Sequence, residues 1–346
     1  MKYGIWAPLP HVVRHEPRMA AAVSDLQTIG KGQGMADASF EFVVDVIRRA
    51  EDFGFDVTLI AERLQGPDLE SWVLASALAQ RTSAIKLMVA AHAGVVTPQM
   101  VAKMGASLDR VSGGRFCLNV IGGWWKEEID LFGNGNWLDD PAERGARLTE
   151  FVDVMRGLWS NENFRFDGTY YRVNEGSLPI RPVRPGGPEL YAAGRSEASR
   201  DMSASRCDTW FAGVTEGRDA FEENLAGLRD DVAAMQARAK GHGRKLGVGL
   251  SAHVICRPTM AEALREAEAL EEYGQRDRIA SIAARALAPG LVGTPELLAE
   301  RIRAYEAAGV DLLMLRFSPM LEELEVFGST VLPLVPPKSA AAGNVS

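Results

Sequence analysis

The sequence predicts an α/β fold, a (β/α)8 TIM barrel with insertions after its fourth strand, on three observations. Eight short strand-type runs recur along the 346 residues, amphipathic helical segments separate them, and the runs are apolar almost throughout. Unbroken apolar runs are how parallel strands read when both faces are covered. Strict strand–helix alternation implies a parallel sheet, and eight strands each followed by a helix favour closure over an open doubly wound sheet.

The strand runs are KYGIWAP (2–8), DVTLIA (56–61), IKLMVAAH (85–92), RFCLNVIGG (115–123), ELYAAG (189–194), DTWFAG (208–213), GVGLSAHVIC (247–256) and DLLMLRF (311–317). Helical patterns cover 38–53, 68–82, 97–112, 141–160, 215–240, 259–273 and 294–309. Several carry start signals: Asp68, Thr97-Pro98, Asp140-Pro141 and Thr294-Pro295 each set an oxygen-bearing cap beside a residue suited to the first turn. An open dinucleotide-binding sheet would need GxGxxG directly after the first strand. The nearest candidate, Gly30-Lys31-Gly32-Gln33-Gly34, has the wrong spacing and lies far beyond that strand, so it reads as a mobile loop.

Residues 124–140 and 161–188 are too long for ordinary connections. The second contains FRFDGTYYRV, a hairpin pattern with Asp167-Gly168 as its turn. Loops after barrel strands form the active-site face, so the first insertion is expected to wall a pocket there. The organisation expected is one domain over 1–335 and a disordered tail over 336–346.

The formal charge of −8 argues against nucleic acid as the main partner, because phosphate binding needs a basic surface. Three cysteines, Cys117, Cys207 and Cys256, without CxxC spacing, suggest neither a disulfide framework nor a zinc ribbon. The N-terminal segment has no long apolar core of a signal peptide, and no stretch reaches the ~18 apolar residues of a membrane span. A soluble protein of the reducing cytoplasm is expected.

Ala193-Gly194-Arg195-Ser196 closes one strand and opens a helix, where backbone N–H groups and the helix dipole favour an anion. Read alone, the same run is equally an ordinary turn with a serine cap. HVVRH (11–15) sets two histidines four apart but lacks the acidic residue of HExxH, so no metal site is expected. GxSxG is absent, and Cys117 and Cys256 sit inside apolar strands where a thiol stays protonated, so no nucleophilic triad is expected. His242 lies in a Gly-rich turn and reads as exposed.

RVSGGRFCLNVIGGWWKEEIDLFG (110–133), WLDDPAERGARLTEFVDVMRGLW (137–159) and FRFDGTYYRV (164–173) resemble the luciferase-like flavin monooxygenases. Within that family the resemblance is nearest to the FMNH2-dependent dimethyl sulfone monooxygenases and pyrimidine oxygenases, with the alkanesulfonate monooxygenases more distant. It continues through LYAAGRSEASRDMSA (190–204), LVGTPELLAERIRAYEAAGVD (291–311) and LEVFGSTVLPLV (324–335). The resemblance implies an enzyme that uses noncovalent reduced FMN and dioxygen to oxygenate a small sulfone, sulfonate, pyrimidine or amide-like molecule through a flavin peroxide. It also implies a separate NAD(P)H:flavin reductase and a homo-oligomer.

The same resemblance places Ala61 and Glu62 beside the isoalloxazine. It puts Asn119 at the flavin edge, where an amide offers both donor and acceptor. Glu128 matches the glutamate of a W-x-K-x-E stretch, Arg144 an arginine near the phosphate, and Gly194, Arg195 and Ser196 the phosphate turn. Without it, Asn119 would read as a satisfied core residue and Glu128 and Arg144 as solvated charges. Gly145 departs from the tyrosine that usually follows the arginine.

Four candidates for the chemistry follow: Asn119, His253, His92 and His11. His253 matches a strand-seven histidine of the alkanesulfonate enzymes, whereas Ser251 stands where they have arginine, which disfavours a sulfonate. His92 ends the third strand where they also have arginine, and His11 lies on the loop after the first strand. The two rival readings are a deazaflavin (F420)-dependent hydride-transfer oxidoreductase on the same barrel and a flavin-binding homologue without turnover.

Overall fold

The computed structural model describes residues 1–8, 38–62, 64–65, 69–123, 125–275 and 280–338. Its elements begin β1 (Lys2–Trp6), α1 (Ala38–Asp52), β2 (Val57–Ile60), α2 (Ser71–Ala79), β3 (Lys86–His92), α3 (Pro98–Val111) and β4 (Phe116–Ile121). The first insertion holds α4 (Lys126–Phe132) and, after α5 (Pro141–Ser160), the second holds β5 (Phe164–Asp167) and β6 (Arg172–Gly176). Then come β7 (Glu189–Ala193), α6 (Glu197–Arg206), β8 (Thr209–Ala212), α7 (Phe221–Gly241), β9 (Gly247–His253), β10 (Ile255–Cys256) and α8 (Met260–Gly274). The chain continues through α9 (Ala280–Arg285), β11 (Val292–Gly293), α10 (Pro295–Ala307), β12 (Leu312–Arg316) and α11 (Met320–Val326).

Eight strands close into a barrel in the order β1-β12-β9-β8-β7-β4-β3-β2, as expected. The pairings of β1 with β12 and β2, of β12 with β9, of β4 with β3 and β7, and of β7 with β8 are all parallel. Closure leaves no edge strand and covers both faces of every strand, which is why the runs lack alternation. All eight sequence runs supply barrel strands, with one difference. GVGLSAHVIC leaves the barrel after His253, whose backbone N–H donates to Ala286 O at 2.7 Å, and Ile255 and Cys256 pair instead with Val292 and Gly293.

The helix starts follow the sequence signals. Thr97, Asp140 and Thr294 accept from first-turn N–H groups, each followed by proline where no helical bond is lost. Thr259 and Glu262 form a reciprocal capping box at α8. At α2 the cap is Glu70, which accepts from Val73 N at 2.8 Å, while Asp68 lies outside the described residues. The 215–240 pattern starts later than expected, at Phe221, because Asn224 draws the preceding turn together through bonds with Glu216 and Gly217.

The chain divides into two compact units, Met1–Leu59 with Ala212–Ala234 and Gly247–Ser346, and Ile60–Phe211 with Met235–Leu246. In the first, Tyr3 packs on Phe55 and Phe327 and donates its hydroxyl to Val335 O at 2.8 Å. Tyr3 and Ile5 therefore face the helices, and alternation turns Gly4 and Trp6 to the barrel interior. A satellite cluster of Ile255, Ala263, Ala267, Leu270, Ala283, Leu287 and Val292 closes around the β10–β11 pair. Lys338 N donates to Met1 O at 3.1 Å, and residues 339–346 lie outside the described residues.

In the second unit, Phe116 packs against Trp72, so Phe116, Leu118 and Val120 face helices and Cys117, Asn119 and Ile121 face inward. The hairpin forms, but Asp167 pairs with Arg172, which makes the connection Gly168–Tyr171 instead of a two-residue turn. Glu150 on α5 explains the wider loop: its carboxylate accepts from the N–H groups of Thr169, Tyr170 and Tyr171 at 2.8–3.1 Å. Cys117, Cys207 and Cys256 are buried free thiols whose pKa values burial pushes up, in keeping with inert packing residues.

Directly after β10, Arg257 bridges the buried carboxylates of Glu266 and Glu323 at 2.5–2.7 Å. Replacing Arg257 with Met leaves two acidic groups facing one another in a poorly solvated position. The expected destabilisation is about 3–5 kcal/mol, read as a fall in Tm by calorimetry; a variant that melts with the parent would show the bridge to be dispensable.

Candidate active site

The second unit holds all the residues expected to bind a cofactor. Asn119 lies inside β4 in register with Ala90 of β3 and Tyr191 of β7, and Tyr191 stacks on Phe211 at 5.9 Å. Its Oδ1 is buried and has no hydrogen-bond partner among the described residues. A core asparagine would have satisfied that oxygen, because an unpaired buried carbonyl costs ~1–3 kcal/mol.

His92 ends β3 one step beyond Ala90 on the same inward face and is 3% exposed. Neither ring nitrogen has a well-formed hydrogen bond among the described residues. Burial lowers its pKa to about 4, opposed only by the Glu62 backbone, so the imidazole is neutral at neutral pH.

Ala61 and Glu62 follow β2. Glu62 is tied to the start of α2, accepting from Ser71 N at 2.9 Å. Burial raises its pKa, the charges of Glu70 and Glu128 add to that, and the bonds from Ser71 oppose it. Glu128 on α4 is only 2% exposed and accepts from Leu64 N at 3.2 Å. It is therefore not the solvated charge that the isolated sequence suggests. The two carboxylates anchor the segment after β2 from both sides.

Arg144 lies on α5 with its guanidinium over the Trp137 ring at 4.5 Å, donating to Leu138 O at 2.6 Å and Asp139 O at 2.9 Å. It clasps the loop of the first insertion. Gly145 is buried, and a Cβ there would stand 3.0 Å from the Ala198 Cβ of α6, so close helix approach accounts for glycine at this position.

Gly194, Arg195 and Ser196 form the turn into α6. Gly194 has φ +142°, and a Cβ on it would meet the Ser199 Cβ at 2.4 Å, so only glycine fits. Ser196 caps the helix by accepting from Ser199 N at 3.2 Å, and its hydroxyl lies 2.8 Å from Ser199 Oγ. The cap leaves the N–H groups of Glu197 and Ala198 without intrahelical acceptors. The Glu197 carboxylate is neutralised by Arg238 Nη2 at 2.5 Å, which keeps the local field favourable to an anion.

The first unit holds a separate cluster at the C-terminal ends of β1, β12 and β9. Register pairs Met314 with Ser251 and Arg316 with His253, and Gly4 with Met314, so Trp6, Ser251, His253 and Arg316 share the inward face. Trp6 Nε1 donates to Ser251 Oγ at 3.1 Å, and the Arg316 guanidinium lies over the Trp6 ring at 3.6 Å. His253 is 2% exposed. Ser251 and His253 are among the residues the sequence singles out, and Arg316 is not. The signal was present: an arginine closes an otherwise apolar parallel strand with the parity of Met314.

His11 lies outside the described residues, as does the Gly30–Gly34 run. His242 accompanies Asp201 at 3.1 Å. Among the described residues no group of three or more His, Cys, Asp or Glu side chains could hold a metal ion, and no helix is long and apolar enough to cross a membrane.

A closed parallel barrel with polar side chains at the C-terminal ends of its strands is the architecture of barrel enzymes. The particular family is fixed by comparison: the chain belongs to the luciferase-like monooxygenases, whose family profile matches residues 19–312. It is 32% identical over 326 residues to an FMNH2-dependent dimethylsulfone monooxygenase of Pseudomonas putida, covering 86% of this chain and 84% of that one. Its fold is similar to that of EDTA monooxygenase from Chelativorans sp. BNC1, with TM-score 0.76 and 20% identity over 99% of this chain and 94% of the other. An F420-dependent secondary alcohol dehydrogenase also shares the fold, with TM-score 0.71 and 17% identity over 96% and 98% of the two chains.

His92 makes stability depend on pH. Its pKa is lowered in the folded state, so its contribution is full above the unfolded value of ~6.5 and is lost as pH falls toward 4. Between pH 7.5 and 5.0 the loss from this residue is about 2 kcal/mol. His92→Gln is expected to remove that part of the acid sensitivity in denaturant unfolding; an unchanged pH dependence would show that the ring titrates normally.

Proposed function

We propose that this chain is the oxygenase component of a two-component system, in which reduced FMN and dioxygen supply the oxygen-transfer chemistry and a separate flavin reductase supplies the reduced FMN. The observation that carries this reading is Asn119 Oδ1, unpartnered among the described residues and buried on the inward face between Ala90 and Tyr191. Family membership and the FMNH2-dependent relative support it.

The residues fit the cofactor in two respects. Asn119 Oδ1 is an acceptor awaiting a ring N–H, and the Gly194–Ser196 turn offers first-turn N–H groups and a hydroxyl to a phosphate. Arg195 adds exposed positive charge there. Ala61, Glu62 and Glu128 would hold the loop against the ring system, and Arg144 would fix the insertion around it. Neutral His92 can accept one hydrogen bond and donate another without introducing charge, and His253 would orient substrate or move a proton. The substrate is a small sulfone, sulfonate, pyrimidine or amide-like molecule, taken in by a homo-oligomeric protein of the cytoplasm.

Three substitutions separate cofactor binding from oxygenation. Asn119→Ala should release hydrogen peroxide in place of oxygenated product while reduced FMN still binds, weakened by no more than the ~1 kcal/mol of one lost hydrogen bond; retained coupling would make the residue structural. Ser196→Ala should weaken reduced FMN by on the order of 1 kcal/mol, about fivefold, in anaerobic titration. Because Ser196 also caps α6, Tm is measured in parallel, and lost stability with unchanged affinity would move the phosphate elsewhere. His253→Ala should depress product at neutral pH by ~10²-fold and alter the pH profile.

The oxygenase reading itself is tested by supplying the chain with reduced FMN or reduced F420, oxygen and candidate substrates. Oxygenated product with FMN alone is the expected outcome. Hydride transfer from F420 without oxygen uptake, or oxidation of NADH by this chain alone, would overturn it.

A further inference from the structure

Most arginines of the first unit that leave the solvent do so with carboxylates. Arg257 bridges Glu266 and Glu323, and Arg218 pairs with Asp219 and Glu271. Arg316 does not. The residue as a whole is half-buried, but its Nε and Nη1 are sealed from solvent and have no hydrogen-bond partner among the described residues. Burial, and then the positive charge of Arg285, pull its pKa down to about 9, which leaves it protonated at neutral pH. No carboxylate among the described residues offsets that charge.

Trp6 accounts for only part of the guanidinium. A ring stacked at 3.6 Å covers one face and supplies a cation–π attraction, but hydrogen-bond donors lie in the guanidinium plane. In-plane N–H donors match the oxygens of an oxyanion, and leaving Nε and Nη1 unpaired among the described residues in a desolvated position is costly. The surroundings are arranged for the same partner. The indole is held by its bond to Ser251 Oγ, which accepts the indole N–H and so keeps its own proton available as a second donor. Arg285 adds a further positive field.

We propose that Arg316, held by Trp6 and assisted by Ser251, is the specificity-determining residue that binds the oxyanion of a small organic substrate, a carboxylate, sulfinate or sulfonate. This rests on the oxygenase reading above and narrows its substrate class: the molecule carries a negative head beside the group to be oxygenated. Ser251, standing where the alkanesulfonate enzymes carry arginine, then removes a positive charge that β12 restores two residues nearer the strand ends, on the same face.

The test titrates the full chain, anaerobically with reduced FMN and also without flavin, with butanoate, propane-1-sulfinate, propane-1-sulfonate and neutral ethyl methyl sulfone. Calorimetry should show the oxyanions binding the parent protein at least 10-fold more tightly than the sulfone, and the ranking among the three identifies the head group. Arg316→Gln should weaken the best oxyanion roughly 10- to 100-fold and leave the sulfone unchanged, with Arg316→Lys intermediate. Equal affinity for the sulfone and the oxyanions in the parent protein would overturn the proposal, and so would full oxyanion affinity in Arg316→Gln. The parent comparison decides even where the variant does not fold. Oxyanion binding that depends on Arg316 without FMN-dependent oxygenation would sink the oxygenase reading alone. Oxygenation of the neutral sulfone without oxyanion binding would sink this inference alone.

Discussion

A closed parallel sheet shuts water out of its inner face, so every polar group placed there must find a partner inside or be reserved for one that arrives. The residues at the starts of the strands follow the first course. Lys86, first in β3, bonds both carboxylate oxygens of Glu189, first in β7, at 2.8 Å, and Tyr191 donates its hydroxyl to Glu189 at 2.9 Å. Burial raises the Glu189 pKa, but the Lys86 ammonium and the bonds outweigh it and the carboxylate stays below its usual range. The inner face from the middle of β4 to the ends of β3 and β12 follows the second course. Asn119 Oδ1, both nitrogens of His92 and the Nε and Nη1 of Arg316 are buried without such bonds among the described residues. A protein tolerates unmet polar groups at a functional end because stability is met elsewhere.

Much of that stability lies in the connections. Caps at Thr97, Asp140, Ser196, Thr259 and Thr294 satisfy helix starts that follow barrel strands or their loops. Arg115 draws the α2 end to the start of β4 through Ala79 O, Ile85 O and Thr82. These bonds fix where each strand begins, and register then fixes where it ends. Because paired residues in parallel strands share a face, one register step sets Asn119 beside Tyr191 and another sets Arg316 beside His253.

The architecture was legible because it rests on period and composition. Apolar runs such as KLMVAAH and LLMLR could only be strands covered on both sides, and Thr-Pro or Asp-Pro pairs marked helix starts within a residue. The exit of β9 was not legible: VIC is as apolar as the strand before it, and only the bond from His253 N to Ala286 O ends the barrel pairing there. The hairpin turn misled for a similar reason. Asp167-Gly168 carries good two-residue turn chemistry, but a carboxylate on α5, far away in sequence, binds three successive N–H groups and holds the loop open.

For the site, the sequence offered residue identity and the structure supplied solvation. Glu128 and Arg144 both read as surface charges, yet one is sealed against the Leu64 backbone and the other is folded over Trp137. Taken by itself, a serine at position 251 in place of an arginine argues against a sulfonate substrate. That argument holds only if charge must come from the same strand. In a barrel it need not, because the neighbouring strand presents its own residues at the same height. Arg316 stands beside His253 by register and over Trp6 by stacking, so the cation missing from β9 is supplied by β12. The property that matters for substrate choice is the charge gathered by three adjacent strands, and no single position in the sequence carries it.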